Sequence, residues 1–160
     1  MEQFREIDHS VLAVNDLILA ERFYFEVLGE IIGEARIEDR SGLTTDEILR
    51  GKRLRELRGG AGSGFVMAPH SSVRVGETII PLFLYQEHVQ EPPPEQMRGT
   101  PRLALTVTPE QMERAIDVLN RHDIAFEGPV EQQPSCPVAR SIYLKDPSSN
   151  FIELACPRDA

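Results

Sequence analysis

Tryptophan is absent from this sequence, cysteine occurs twice, and aromatic residues make up only 6 % of it. Two cysteines, Cys136 and Cys156, cannot build a multi-bridge disulfide framework, and they lack the close spacing of metal ligands. Both are expected to be free thiols. No apolar run approaches the roughly 20 residues of a membrane-spanning helix, which argues against such a span. The opening residues, MEQFREIDHS, lack a basic region followed by an apolar stretch, so no signal peptide is expected and the cytoplasm is the expected compartment. Basic residues are the minority: 17 Lys and Arg stand against 26 Asp and Glu, a net charge of -9. Such a surface has little attraction for nucleic-acid phosphates or anionic lipid, so neither nucleic acid nor membrane is an expected partner.

What is present is an ordinary globular composition, 41 % hydrophobic and 27 % charged, in 160 residues. That length suits one domain, or two small modules sharing a core. Residues 7–14, IDHSVLAV, read as a strand. Asn15-Asp16 supply a helix N-cap before LILAERFYFEVLG, in which Leu19, Phe23 and Val27 recur at steps of four and Gly29 marks the C-terminus. The order then repeats. PRLALTV is a strand, Thr108 to Gln111 form a capping box with Pro109 at the first helical position, and Met112, Ala115, Ile116 and Leu119 give the helix its stripe.

His9 matches Arg102 at an offset of 93, whereas Pro81-Leu82-Phe83 in TIIPLFLYQ matches Glu153-Leu154-Ala155 in NFIELACP at an offset of 72. The first half is therefore longer by 21 residues, the difference of those two offsets, and the surplus is placed in a helical insert at about 40–64. The expected organisation is one domain spanning 1–160, with module one over 5–89, a proline-stiffened linker at 90–100 and module two over 101–157. Each module is expected to be βαβββ.

Side chains alternate along a strand, so each matched strand has two faces. Leu12 and Val14, Leu103, Leu105 and Val107, Ile80, Leu82 and Leu84, and Ile152 and Leu154 form one set, uniformly aliphatic and suited to helix packing. The other set mixes small, aromatic and ionisable residues: His9, Pro81, Phe83, Tyr85, Arg102 and Glu153. That is the make-up of a cleft lining. His70 and His88 are read as strand-flanking loop residues, and His122 as a partner of a helix C-terminal dipole. The basic run ILRGKRLRELR (48–58) is either a lid for an anionic ligand or a solvated helix face. GGAGSG (59–64) lacks a following lysine at phosphate-loop spacing and reads as a hinge.

Asp8-His9, Asn15-Asp16, FYFEVLG (23–29) and the ending IYLKDPSSNFIEL (142–154) together resemble the vicinal oxygen chelate superfamily, which includes glyoxalase I, bleomycin-resistance proteins and extradiol dioxygenases. The resemblance implies an α+β fold in which two βαβββ modules form a cupped mixed sheet around a cleft. It implies a homodimer and a small-molecule substrate. In the family's metalloenzymes, four strand positions supply the metal ligands, and here they are His9, Pro81, Arg102 and Glu153. The resemblance makes His9 and Glu153 the ligands of a divalent Fe, Mn, Ni or Zn, whereas Pro81 and Arg102 cannot ligate through their side chains. Arg102, Phe83, Tyr85 and Tyr143 are then substrate-binding candidates, and no residue stands out as a general base. Two functions stay open: a metal-dependent lyase, isomerase or dioxygenase that chelates vicinal oxygens, or a metal-free small-molecule-binding protein of the bleomycin-resistance kind. In the second, Arg102 pairs with Glu153 or clamps a carboxylate or phosphate.

Overall fold

The computed structural model describes residues 9–41, 70–85 and 102–158. In order these are β1 (Leu12–Val14), α1 (Leu17–Arg22), a π-helical turn (Phe23–Val27), α2 (Leu28–Ile32), β2 (Ala35–Ser41), β3 (His70–Val75) and β4 (Thr78–Leu84). Then come β5 (Leu103–Thr106), α3 (Pro109–Arg121), β6 (Phe126–Glu131), β7 (Val138–Lys145) and β8 (Phe151–Pro157). The insert beyond Ser41, the basic run, the glycine run, His88 and the linker lie outside the described residues. Among the described residues no helix is long and apolar enough to cross a membrane, and both cysteines are free.

The strands form two four-stranded sheets of the same order, β1-β4-β3-β2 and β5-β8-β7-β6. In each, the first strand runs parallel to the last, and the remaining pairs are antiparallel. This is the βαβββ module, twice. The pairing register reproduces the sequence offsets. Leu12 pairs with Leu82; moving the first by 93 positions and the second by 72 arrives at Leu105 and Leu154, which also pair.

The aliphatic face is the core. Val14, Ile80, Leu82, Ile152 and Leu154 are fully buried there with Tyr24, Leu28, Ile31, Met112 and Leu119 from the helices. The first helical segment departs from the simple period. Asp16 is the N-cap, its carboxylate accepting from the Leu19 amide at 3.0 Å. That phase turns Leu19 outward, 49 % exposed, and buries Leu17 and Ala20 instead. The π-helical turn then brings Phe23, Tyr24 and Val27 inward together. Gly29 does not end the helix, which continues to Ile32 and is closed by Gly33 at φ 91°. In α3 the capping box of Thr108 and Gln111 is present, and Val118 rather than Ile116 completes the buried stripe.

Gln111 and Asp146 join the modules. The Gln111 side chain accepts from the Thr108 amide at 2.8 Å and donates to the Ile32 carbonyl at 2.7 Å, serving the start of α3 and the end of α2 at once. At the other end of α3, Arg121 pairs with Glu30 of α2 at 2.6 Å. The buried Asp146 of the DPSSN turn accepts from the Ser148 and Asn150 amides, each at 2.8 Å, and from the Tyr24 hydroxyl at 2.9 Å. Asn150 in turn donates to the Ala13 carbonyl of β1 at 2.8 Å. These four polar residues close the turn and tie it to the first module, leaving its buried groups satisfied.

Candidate functional site

Parallel pairing of β5 with β8 sets the floor of the site. Ala104 lies opposite Glu153, and Tyr143 of β7 lies opposite Glu153 on its other side. Because alternate residues share a face, Arg102, Glu153, Tyr143 and Ser141 all belong to the face turned away from the aliphatic core. Glu153 is nonetheless buried, with 7 % exposure. A carboxylate at that depth needs partners, and both its oxygens have them. Arg102 donates through Nε to Oε2, and the Ser141 hydroxyl donates to Oε1 at 2.8 Å. The Arg102 guanidinium also lies over the Tyr143 ring, 5.6 Å from its centre. Gln132 completes the cluster, its amide nitrogen 3.2 Å from Ser141 Oγ and 3.0 Å from the Tyr143 hydroxyl.

The first sheet carries the matching positions with different chemistry. Pro81 stands where Glu153 stands in the second, and it offers no side-chain donor or acceptor. His70 is not a loop residue: it opens β3, is buried, and pairs with Phe83. Ser141 pairs with Ala155, the counterpart of Phe83, so His70 is the counterpart of Ser141. Its ring stacks on Phe83 with centres 4.6 Å apart and planes 12° from parallel, and it approaches Asp39 at 3.6 Å. Tyr85 is half exposed, its amide bonded to the Val14 carbonyl at 2.7 Å. His9 stands just before β1, bridged to Ile79 through the backbone, with its side chain exposed. His122 follows α3 as expected and also approaches Glu30 at 3.4 Å.

Of the residues singled out from sequence, Arg102, Glu153 and Tyr143 are thus in one cluster, and Phe83 lines the corresponding face of the other sheet. Ser141, Gln132 and the burial of His70 were not anticipated. The offset between β3 and β7 would have pointed to His70 and Ser141 had the start of β3 been located. Gln132 lies beyond the end of β6 and gave no pattern. Among the described residues, no three His, Cys, Asp or Glu side chains gather closely enough to hold a metal ion. Glu153 is engaged on both oxygens, and a guanidinium occupies a position where the fold would need a ligand. This donor set does not fit a three-ligand metal centre.

No protein-family model matches the chain, and no curated protein does. Solved structures do. A glyoxalase/dioxygenase from Nostoc punctiforme is 26 % identical, with a TM-score of 0.59 over 96 % of this chain and 91 % of that one. A glyoxylase/bleomycin resistance protein/dioxygenase domain from Frankia sp. EAN1pec is 17 % identical, with a TM-score of 0.64 over 99 % and 96 %. The fosfomycin resistance protein FosX from Listeria monocytogenes, in a complex with Mn(II) and 1S,2S-dihydroxypropylphosphonic acid, is 17 % identical, with a TM-score of 0.63 over 97 % and 94 %. With two βαβββ modules in matched register and likenesses that span both chains, this protein belongs by its fold to the vicinal oxygen chelate superfamily.

Proposed function

We propose that this chain is a glyoxalase-like small-molecule-binding protein whose cleft floor is the Arg102–Glu153 ion pair, and that it holds its ligand without a metal. The observation that carries this reading is the engagement of both Glu153 oxygens, one by Arg102 and one by Ser141. A cation entering there would have to displace the guanidinium or sit beside it. At about 4 Å and an effective dielectric of about 20, a unit charge repels a divalent ion by about 8 kcal/mol. Two protein ligands do not readily offset a penalty of that size. The side chains of Arg102 and Glu153 are 30 % and 9 % exposed, so the pair presents its cationic side to an incoming ligand. A homodimer in the cytoplasm is part of the same proposal, and light scattering checks its oligomeric half.

The second reading is a divalent metal on His9 and Glu153 that serves lyase, isomerase or dioxygenase chemistry. Its support is His9 at the family's first-strand position and the Mn(II) held by the Listeria relative.

Metal analysis of protein purified without chelator decides between them. The expected result is far less than one equivalent of Fe, Mn, Ni or Zn, with an unchanged melting temperature after reconstitution. Stoichiometric metal that disappears in His9→Ala establishes the second reading instead.

A further inference from the structure

We infer that Arg158 is a positioning residue for the cleft floor: its guanidinium clamps the segment between β6 and β7, and that clamp holds the Gln132 amide in the floor cluster. The inference rests on the reading of the Arg102–Glu153 floor as a ligand site, since only then does the placing of Gln132 bear on a ligand.

The segment 132–137 has little of its own to hold it. Gln133, Pro134, Ser135 and Pro137 are exposed, so it buries little apolar surface. Pro134 and Pro137 carry no amide proton. Two main-chain bonds shape the segment, from the Gln132 amide to the Ala139 carbonyl and from the Cys136 amide to the Gln133 carbonyl, each 2.8 Å. Arg158, the residue after β8, supplies further donors. Its Nε donates to the Cys136 carbonyl at 3.1 Å. One terminal nitrogen shares its two protons among the carbonyls of Gln132, Gln133 and Val138 at 3.3, 3.0 and 3.3 Å. The Arg158 main-chain amide donates to the Pro137 carbonyl at 2.8 Å.

Four carbonyl oxygens that converge on one centre repel each other, and a cation at that centre removes the repulsion. A guanidinium suits the place because its donors leave a planar fork from separate nitrogens. Here one nitrogen serves Cys136 and another serves the remaining three. An ammonium carries the same charge on a single nitrogen and does not span both sides.

Strand β8 carries the effect to the floor. It bears Glu153 and leads into Arg158, so it grips the β6–β7 hairpin at two places. At the first, Glu153 accepts from the buried Ser141 hydroxyl at 2.8 Å. At the second, Arg158 holds the connecting segment. The Gln132 main chain is tied on both sides, its amide to Ala139 and its carbonyl to Arg158. Its side-chain nitrogen then stands 3.2 Å from Ser141 Oγ and 3.0 Å from the Tyr143 hydroxyl. A floor fixed in one arrangement before a ligand arrives has less to order on binding.

NMR of the full-length protein, without ligand, reads the side-chain amide protons of Gln132. Arg158→Ala is expected to speed their exchange with water about tenfold, as loss of a charge-assisted hydrogen bond would. The half-buried Cys136 should react faster with iodoacetamide in the same variant, while Cys156, buried in the core, stays unreactive. Methylguanidinium added to Arg158→Ala is expected to restore both rates, and methylammonium is not. That selectivity separates a guanidinium clamp from a general contribution to stability. Unchanged exchange in Arg158→Ala, absence of rescue by methylguanidinium, or equal rescue by the two cations overturns the inference. So does faster reaction of Cys156, which would mean that the whole fold has loosened. These readouts need no ligand, so failure of the floor reading, which metal analysis detects, shows separately from failure of the clamp.

Discussion

Tyr24 and Asp146, 122 residues apart in the chain, meet through a buried hydrogen bond of 2.9 Å that joins the helix of one module to the turn of the other. Asp146 has 4 % exposure and Tyr24 none. The turn therefore depends on a group supplied by the opposite half of the duplication. Tyr24→Phe removes the hydroxyl while keeping the ring, and leaves Asp146 one donor short. Loss of a buried hydrogen bond to a charged group costs about 1.5–3 kcal/mol. Urea denaturation should show a fall of that size with an unchanged slope.

The same pair makes a prediction at alkaline pH. Burial, and then the Asp146 carboxylate, push the Tyr24 hydroxyl well above its ordinary value. A group whose pKa is raised on folding contributes stability in full below its unfolded value, near 10, and loses it as pH climbs beyond that. Unfolding free energy should therefore decline above about pH 10 more steeply in wild type than in Tyr24→Phe. Parallel pH profiles for the two proteins would remove Tyr24 as the cause.

Gly29 tests packing against propensity. Alanine is favoured over glycine in a helix by about 1 kcal/mol. A Cβ at Gly29, however, would stand 2.6 Å from the Ala35 Cβ at the start of β2. Overpacking of this kind costs about 1–3 kcal/mol, so Gly29→Ala is expected to lower stability by up to about 2 kcal/mol in spite of the helical gain. The clash is confined to one methyl group. Ala35→Gly introduced with it should recover part of the loss, and a double-mutant cycle measures that coupling.

Arg102→His puts an imidazole where the cleft floor now has a guanidinium. The variant removes the fixed positive charge, releases Glu153 Oε2 and supplies a nitrogen ligand. Affinity for Zn or Mn, measured by calorimetry, should rise at least tenfold over wild type, since removing a repulsion of several kcal/mol is more than that factor requires. Equal affinity would place Arg102 outside any metal-competent geometry.

Much of this fold was legible in the sequence because its signals are local or repeated. The capping box at Thr108 and Gln111, the aliphatic alternation in TIIPLFL and LALT, and the offsets of 93 and 72 each follow from the chemistry of short segments. The phase of the first helical segment was misread, since a run with apolar residues on several faces fits more than one stripe. Only the Asp16 cap and the π-helical turn choose among them. Gly29 misled for a related reason: glycine ends helices by its backbone freedom, but here it is needed for the close approach of Ala35.

From sequence alone came the two modules, the strand faces and the presence of Arg102 and Glu153 on one of them, because alternation and duplication are properties of the chain itself. What the tertiary structure decided is the partner of each polar group: Arg102 and Ser141 on Glu153, Gln132 on Tyr143, Tyr24 on Asp146. Those partners lie between 11 and 122 residues apart. Hydrogen bonds and charges act over a few ångströms, so only the folded register of the strands determines which of them meet.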